Sequence, residues 1–483
     1  MSSPSTPPIL VWFRQDLRLA DNPALAAAIA TGQPVVPVYI LDDVTPGHWR
    51  MGGASRWWLH HSLSSLQAGL ERLGSRLILR SGPTAKTIAD LVDETGATGI
   101  NWNRCYEPFA QKRDRQLKEA LRSIGHHVKS FNAGLLNEPW QILNGRGKPF
   151  RVFTPYWRKA RTELVADAAM VVPTRLNSPT DWPKSDALDT WKLLPSHPNW
   201  AAAFPSLHNP GEAGAAARLQ DFLEKRATRY AAGRDRPDQD NTSGLSAHLH
   251  FGEISPRQVV RAVDLSRDEI GDRNAEKFLS EIGWREFSYN LLFNFRDFPE
   301  QNHQSKFDDI PWRQNADDLR AWQMGQTGYP IVDAGMRELW TTGIMHNRVR
   351  MVAASFLIKH LMIDWREGQK WFWDTLVDAD LANNSSSWQW VAGSGADASP
   401  FFRIFNPITQ GEKFDPNGEY IRKWVPEIAR LPDKFLNRPW EADPATLSAA
   451  HVDLGSTYPA PIVDHKLARD RALTAFKSLP ART

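Results

Sequence analysis

The feature that most constrains this 483-residue chain is a regular exchange, in its first third, of short apolar runs with amphipathic stretches. Ile9–Phe13 reads as a buried strand, and Val35–Ile40, Arg76–Leu79, Gly99–Trp102 and His127–Phe131 as further strands. The stretches between them have helical spacing. One starts at Asp21-Asn-Pro-Ala, with Asp21 as its cap and Pro23 in the first turn. Ser55–Leu73 puts Trp58, Leu59, Leu63, Leu66 and Leu70 at three- and four-residue steps. Thr84 is expected to cap a helix reaching Thr95, which Gly96 ends. Strands alternating with helices specify a doubly wound parallel sheet. Such sheets bind cofactors at the carboxyl ends of their strands, yet neither Gly-x-Gly-x-x-Gly nor a phosphate-loop motif occurs here.

From Val172 to Gly211 the texture changes. Prolines stand at 173, 179, 183, 195, 198, 205 and 210 with little periodicity between them, as in a linker laid over a surface. Beyond it the chain reads as helical, with apolar spacing over Ala275–Phe295 and Met345–Met362. The length favours two or three domains. The expected organisation is an α/β domain over 1–135, an interdomain linker over 136–212 and an all-α domain over 213–483. No run of eighteen apolar residues occurs, and Met1–Pro8 shows neither the basic start nor the apolar core of a secretion signal. Those residues are expected to form a short disordered tail. A bacterial cytoplasm or nucleoid and a monomer are expected. The lone Cys105 excludes an internal disulfide and reads as small filler. Net charge is only +3, so any nucleic-acid contact must come from local clusters. Twenty-one tryptophans against eight tyrosines point to indoles with work beyond packing, although a tryptophan-rich core would give the same count.

Four stretches carry chemistry-bearing residues. Leu339–Ile363 contains no acid but holds His346, Arg348, Arg350, Lys359 and His360. On a helix, Asn347 shares a face with Arg350 and Met351, offering an amide, a guanidinium and a soft apolar group together. The plainer reading is a solvated basic face. Asp378-Ala-Asp380 lacks the glycine of a calcium loop and is not read as a metal site; the two carboxylates hold a ribose or pair with Arg350. Trp388 and Trp390 share a face only in extended chain. Thr242-Ser-Gly-Leu-Ser246, after Tyr230, is a phosphate cradle or a plain helix start. Gln141–Thr162 mixes Arg146, Lys148, Arg151, Arg158, Lys159 and Arg161 with Tyr156 and Trp157, as a nucleic-acid strip or a solvated loop would.

The order of these motifs resembles one family. Val11-Trp-Phe-Arg-Gln-Asp-Leu-Arg-Leu-Ala-Asp-Asn22 and Thr327-Gly-Tyr-Pro-Ile-Val-Asp-Ala-Gly-Met336 resemble photolyases and cryptochromes. So do Asp378–Trp390, Phe401–Pro407 and Gln410–Phe414. The likeness is closest to class I cyclobutane pyrimidine dimer photolyases. It implies FAD held by Tyr230, Thr242, Ser243, Gly244, Leu245, Ser246, Phe278, Arg285, Asn347, Arg350, Asp378, Asp380 and Asn384. Asn384 would face the flavin nitrogen that changes protonation. Trp388, Trp365 and Trp312 match the family's electron-carrying chain. Arg234, Glu281, Trp284, Asn347, Arg348, Met351, Trp390, Arg403 and Gln410 match its lesion and DNA contacts, with Glu281 also stabilising charge on the lesion. Ultraviolet-damaged DNA is the implied partner.

Three positions depart from the family pattern. Gly244 stands where many members have Arg, Phe278 where Trp is common, and Ile344 replaces an aromatic. A second, light-harvesting chromophore is implied, folate near Glu107 or a deazaflavin. The rival readings are a cryptochrome-like blue-light sensor and a photolyase for the (6-4) lesion. Asn347, Met351 and Asn384 resemble the dimer-repair pattern more than either.

Overall fold

Five parallel strands, β1 (Ile9–Phe13), β2 (Val35–Leu41), β3 (Ile78–Ser81), β4 (Gly99–Asn103) and β5 (His127–Phe131), pair in the order β3-β2-β1-β4-β5. Such parallel strands need crossover helices. These are α1 (Pro23–Ile29), α2 (Gly53–Arg72), α3 (Thr84–Thr95) and α4 (Pro108–Ser123). The expected doubly wound sheet forms, with Leu10, Trp12, Val38, Ile78, Ile100 and Val128 in one apolar core. The structure, a computed structural model, describes residues 6–164, 170–397 and 402–480. The N-terminal expectation therefore falls largely outside the described residues.

Two compact units form, and they do not follow chain order. Unit 1 comprises 1–200, 208–228 and 243–296; unit 2 comprises 201–207, 229–242 and 297–483. Besides the sheet, unit 1 holds α5 (Phe153–Thr162), α6 (Glu212–Lys225), α7 (Pro256–Leu265) and α8 (Asp272–Asn294). The proline-rich stretch lies along the sheet edge, where the Val35, Leu176 and Asp186 amides bond to the carbonyls of Asn177, Leu73 and Leu79. Gly283 lets α8 approach α5: a Cβ there would lie 2.5 Å from the Trp157 ring.

Unit 2 is helical. Its principal elements are α9 (Pro330–Thr342), α10 (Asn347–Ser355), α11 (Trp365–Thr375), α12 (Leu381–Ala392), α13 (Pro407–Phe414), α14 (Glu419–Trp424) and α15 (His465–Lys477). Its core gathers Trp322, Tyr329, Phe356, Trp365, Phe372, Trp388 and Tyr458. The Thr327–Met336 motif is a scaffold. Buried Asp333 accepts from the Thr327 N–H and hydroxyl at 2.7 Å each, the Gly328 N–H at 3.0 Å and the Tyr458 hydroxyl at 2.7 Å. No helix among the described residues is long and apolar enough to cross a membrane.

Several local expectations are corrected. Asn22, not Asp21, caps α1, because Asp21 has φ of 47° and its neighbour's side chain takes the Leu25 N–H. Thr84 opens its helix without capping it; Asp42 accepts from its N–H at 3.0 Å and its hydroxyl at 2.6 Å. The third strand begins two residues later than its apolar run. The helix read over Met345–Met362 is regular only to Ser355, then widens into a π turn over Phe356–His360.

Candidate functional site

The candidate residues divide between the units, and each unit builds its own set. In unit 2, α10 carries Asn347, Arg348, Arg350 and Met351. His346 precedes it, and its Nδ1 accepts from the Arg348 N–H at 3.2 Å. Burial holds that imidazole down at about 4, so it stays neutral and able to accept. Arg350 Nη2 donates to both Asp378 carboxylate oxygens, at 2.9 and 3.1 Å, and its Nε donates to the Met345 carbonyl at 2.7 Å. The expected pairing of Asp378 with Arg350 forms. Arg348 lies 2.8 Å from Asp235 and 4.3 Å above the Phe414 ring. Arg234 stands 3.7 Å from the same Asp235 and 5.6 Å from the Tyr230 ring centroid. A plain solvated basic face therefore does not form. Asn347 is exposed and Met351 half-buried.

Asp380 caps α12, accepting from the Asn383 N–H at 2.8 Å and its side-chain amide at 2.7 Å. Asn384 is buried and donates through Nδ2 to the Gln369 carbonyl at 3.0 Å. Its Oδ1 accepts no hydrogen bond among the described residues. Trp388 is buried edge-on against Phe372 and Trp322, at 5.0 and 6.2 Å between centroids. Gly368 admits it: a Cβ there would lie 2.1 Å from the indole. Trp365 is fully buried and donates to Asn302 at 3.0 Å; Trp312 is partly buried against the same core. Trp388 and Trp390 lie on a helix, so they do not share a face; Trp390 is half-buried. Arg403 is exposed and rests 4.8 Å over Phe405; Gln410 is half-buried on α13. Phe401, the start of its motif, lies outside the described residues. Tyr230, buried, and Thr242, half-buried, also belong to unit 2.

In unit 1, Ser243, Gly244 and Leu245 precede a single turn of helix over Ser246–His250. Gly244 has φ of 64°, and the space beside it is taken by the Arg218 guanidinium, 2.5 Å from where a Cβ would stand. Arg218 Nε donates to the Ser243 carbonyl at 2.9 Å. A guanidinium therefore reaches this segment from α6, although residue 244 has no side chain. On α8, Phe278 packs on Phe222 at 4.7 Å. Glu281 pairs with Lys277 at 3.0 Å. Trp284 stacks on Phe153 at 3.8 Å and 10°, which covers one face of its ring. Arg285 donates to the Gly134 carbonyl at 2.8 Å and lies 3.3 Å from Glu286, whose carboxyl burial pushes up to about 7. Glu107 accepts from Gln15 at 2.7 Å through one oxygen; its other, buried, has no partner among the described residues. In the basic strip, Lys159 and Arg161 pair with Glu163 and Glu276, while Arg146, Lys148, Arg151 and Arg158 are exposed.

Sequence reasoning missed Asp235, Arg218, Gly368 and Phe153. The adjacency of Arg234 and Asp235 was the one local signal; the others act across long sequence separations.

Two family models match the chain, DNA photolyase over residues 9–174 and the FAD binding domain of DNA photolyase over 278–478. A deoxyribodipyrimidine photo-lyase of Agrobacterium fabrum is 51% identical over 99% of both chains. Cryptochrome-2 of Arabidopsis thaliana is 41% identical over 95% of this chain and 77% of its own. A crystal structure described as a bacterial class III photolyase from Agrobacterium tumefaciens superposes with a TM-score of 0.96. It is 51% identical and covers 99% of this chain and 98% of its own. The class I expectation gains no support from these relatives.

Proposed function

Because the chain belongs to the photolyase/cryptochrome family, we propose that it repairs ultraviolet-damaged DNA in light, with FAD as cofactor, by splitting cyclobutane pyrimidine dimers. The observation that carries the lesion preference is α10. It sets an exposed amide at Asn347 and a half-exposed thioether at Met351 beside the Arg348 guanidinium. An amide and a soft apolar surface suit paired pyrimidine rings, and a guanidinium suits the adjoining phosphate.

The residues also suit a flavin nucleotide. In unit 2, Asn384 offers an amide oxygen with no donor yet on it, and Arg350 and Asp378 offer a charge pair. In unit 1, Arg218 brings its charge to the turn at Gly244. When bound, light-excited reduced FAD supplies an electron that opens the dimer and returns after the ring splits. The chain's own residues do the rest. Asn384 holds an acceptor at a fixed atom. Trp312, Trp365 and Trp388 relay electrons inward from the partly exposed end. Photolyases are among the enzymes that extrude their target bases, and stacking on an indole such as Trp390 offsets lost base stacking by about 1–3 kcal/mol per base. Arg234, Arg348 and Arg403 grip phosphates.

The test is repair of a defined thymine dimer in light and in darkness, beside a (6-4) substrate. Light-only repair of the dimer is expected; equal dark activity, or repair of the (6-4) lesion alone, refutes the reading. Trp388→Phe should slow photoreduction of oxidised flavin yet spare repair once the flavin is chemically reduced.

A further inference from the structure

The Leu361 N–H bonds back five residues to the Phe356 carbonyl at 3.0 Å, closing the π turn that follows α10. π turns of this kind concentrate at functional positions. This one turns Lys359 inward, leaving it 2% exposed. No carboxylate meets its ammonium among the described residues. Instead Nζ donates to the Arg403 carbonyl and lies 4.5 Å from the Phe402 ring centroid. Two further ties hold the same loop. Phe402 stacks on Phe476 of α15 at 4.5 Å and 7°, and the Phe405 N–H donates to Ser355 Oγ, the last residue of α10, at 3.2 Å. The backbone over 402–405 is thus fixed on both sides of Arg403, whose guanidinium stays exposed and has no carboxylate partner among the described residues.

Burying an ammonium without a counter-ion is costly, and a methionine would fill the volume without that cost. Burial, with the Arg403 charge nearby, brings Lys359 down to about 7. We propose that Lys359 is a positioning residue for DNA: it pins the Arg403 backbone so that the guanidinium is presented to a phosphate of the damaged strand. This rests on reading Arg403 as a DNA contact.

Affinity for dimer-containing duplex is measured across a salt series for Arg403→Ala, Lys359→Met and the double variant. Arg403→Ala should weaken binding about fivefold and make the salt dependence shallower by about one phosphate contact. Lys359→Met should lose the same slope although its side chain is too buried to touch DNA, and the double variant should be no weaker than Arg403→Ala. The flavin spectrum and the repair yield at saturating DNA should stay unchanged in Lys359→Met. A weakened Arg403→Ala beside an unaltered or fully additive Lys359→Met overturns the positioning role alone. An unaltered Arg403→Ala overturns the DNA-contact reading and the positioning role with it. Should Lys359→Met lose flavin, Phe476→Leu loosens the Phe402 stack from the far side. The slope loss is then expected there, and an unchanged slope overturns the proposal.

Discussion

Helix α10 and the loop over 402–406 both present arginines, and they locate them by opposite means. On α10 the backbone ladder already fixes direction, so Arg348 and Arg350 are held by carboxylates, Asp235 and Asp378. The loop has no ladder. Arg403 is located through its own carbonyl and its aromatic neighbours, and its guanidinium carries no carboxylate among the described residues. The difference teaches that an arginine can be made ready for phosphate in two ways. One is neutralised until an anion competes for it; the other is left charged and has its backbone restrained.

The comparison is most severely tested at Arg350. Its removal strands the enclosed Asp378 carboxylate, and Arg350→Leu should lower unfolding stability by about 3 kcal/mol, read from denaturant midpoints. A loss below half that would mean the pair is not what holds α10. The second test uses pH. Lysine ordinarily titrates near 10.5, and Lys359 is lowered to about 7 when folded. The unfolded chain therefore binds the extra proton between those values. Stability should rise with pH across that window, by at most about 1.4 kcal/mol per unit, and be lost as pH falls through 7. Lys359→Met should flatten that rise. His346, at about 4, puts the matching step of α10 below pH 6.5, so a ramp from 7 to 9 moves the loop's anchor and leaves that cap untouched. The smallest effect belongs to Asp235→Asn. Freed of its competitor, Arg348 should bind damaged DNA about threefold tighter at low salt, by fluorescence anisotropy, with the gain fading as salt rises. No gain would mean that Asp235 does not restrain it.

These contrasts also separate what the chain discloses from what it hides. The centre of the sheet was legible because β1, β2 and β4, buried almost throughout, contain apolar runs, and Gly96 and Gly99 punctuate the chain between them; the edge strand β5 alternates instead. The sites were legible only through motif order. The sequence puts Lys359 in the same acid-free basic stretch as Arg348, which a solvated helix face would explain. One extra residue in the π turn moves it indoors, and no regular period contains that residue. Arg218 was invisible for another reason: its guanidinium meets Gly244 across 26 positions, and the signal at Gly244 is a missing side chain. Asp21 misleads because two polar residues precede Pro23, and the second of them, Asn22, is the cap.

Gly368 contributes no atom beyond its backbone, yet it sets how near α11 comes to α12 by leaving room for the Trp388 ring. The clearance there is bounded by an indole rather than by methyl groups. Bulk added at this silent position would be transmitted straight to the innermost conductor of the proposed relay, so the wire can be cut from a residue that carries no current.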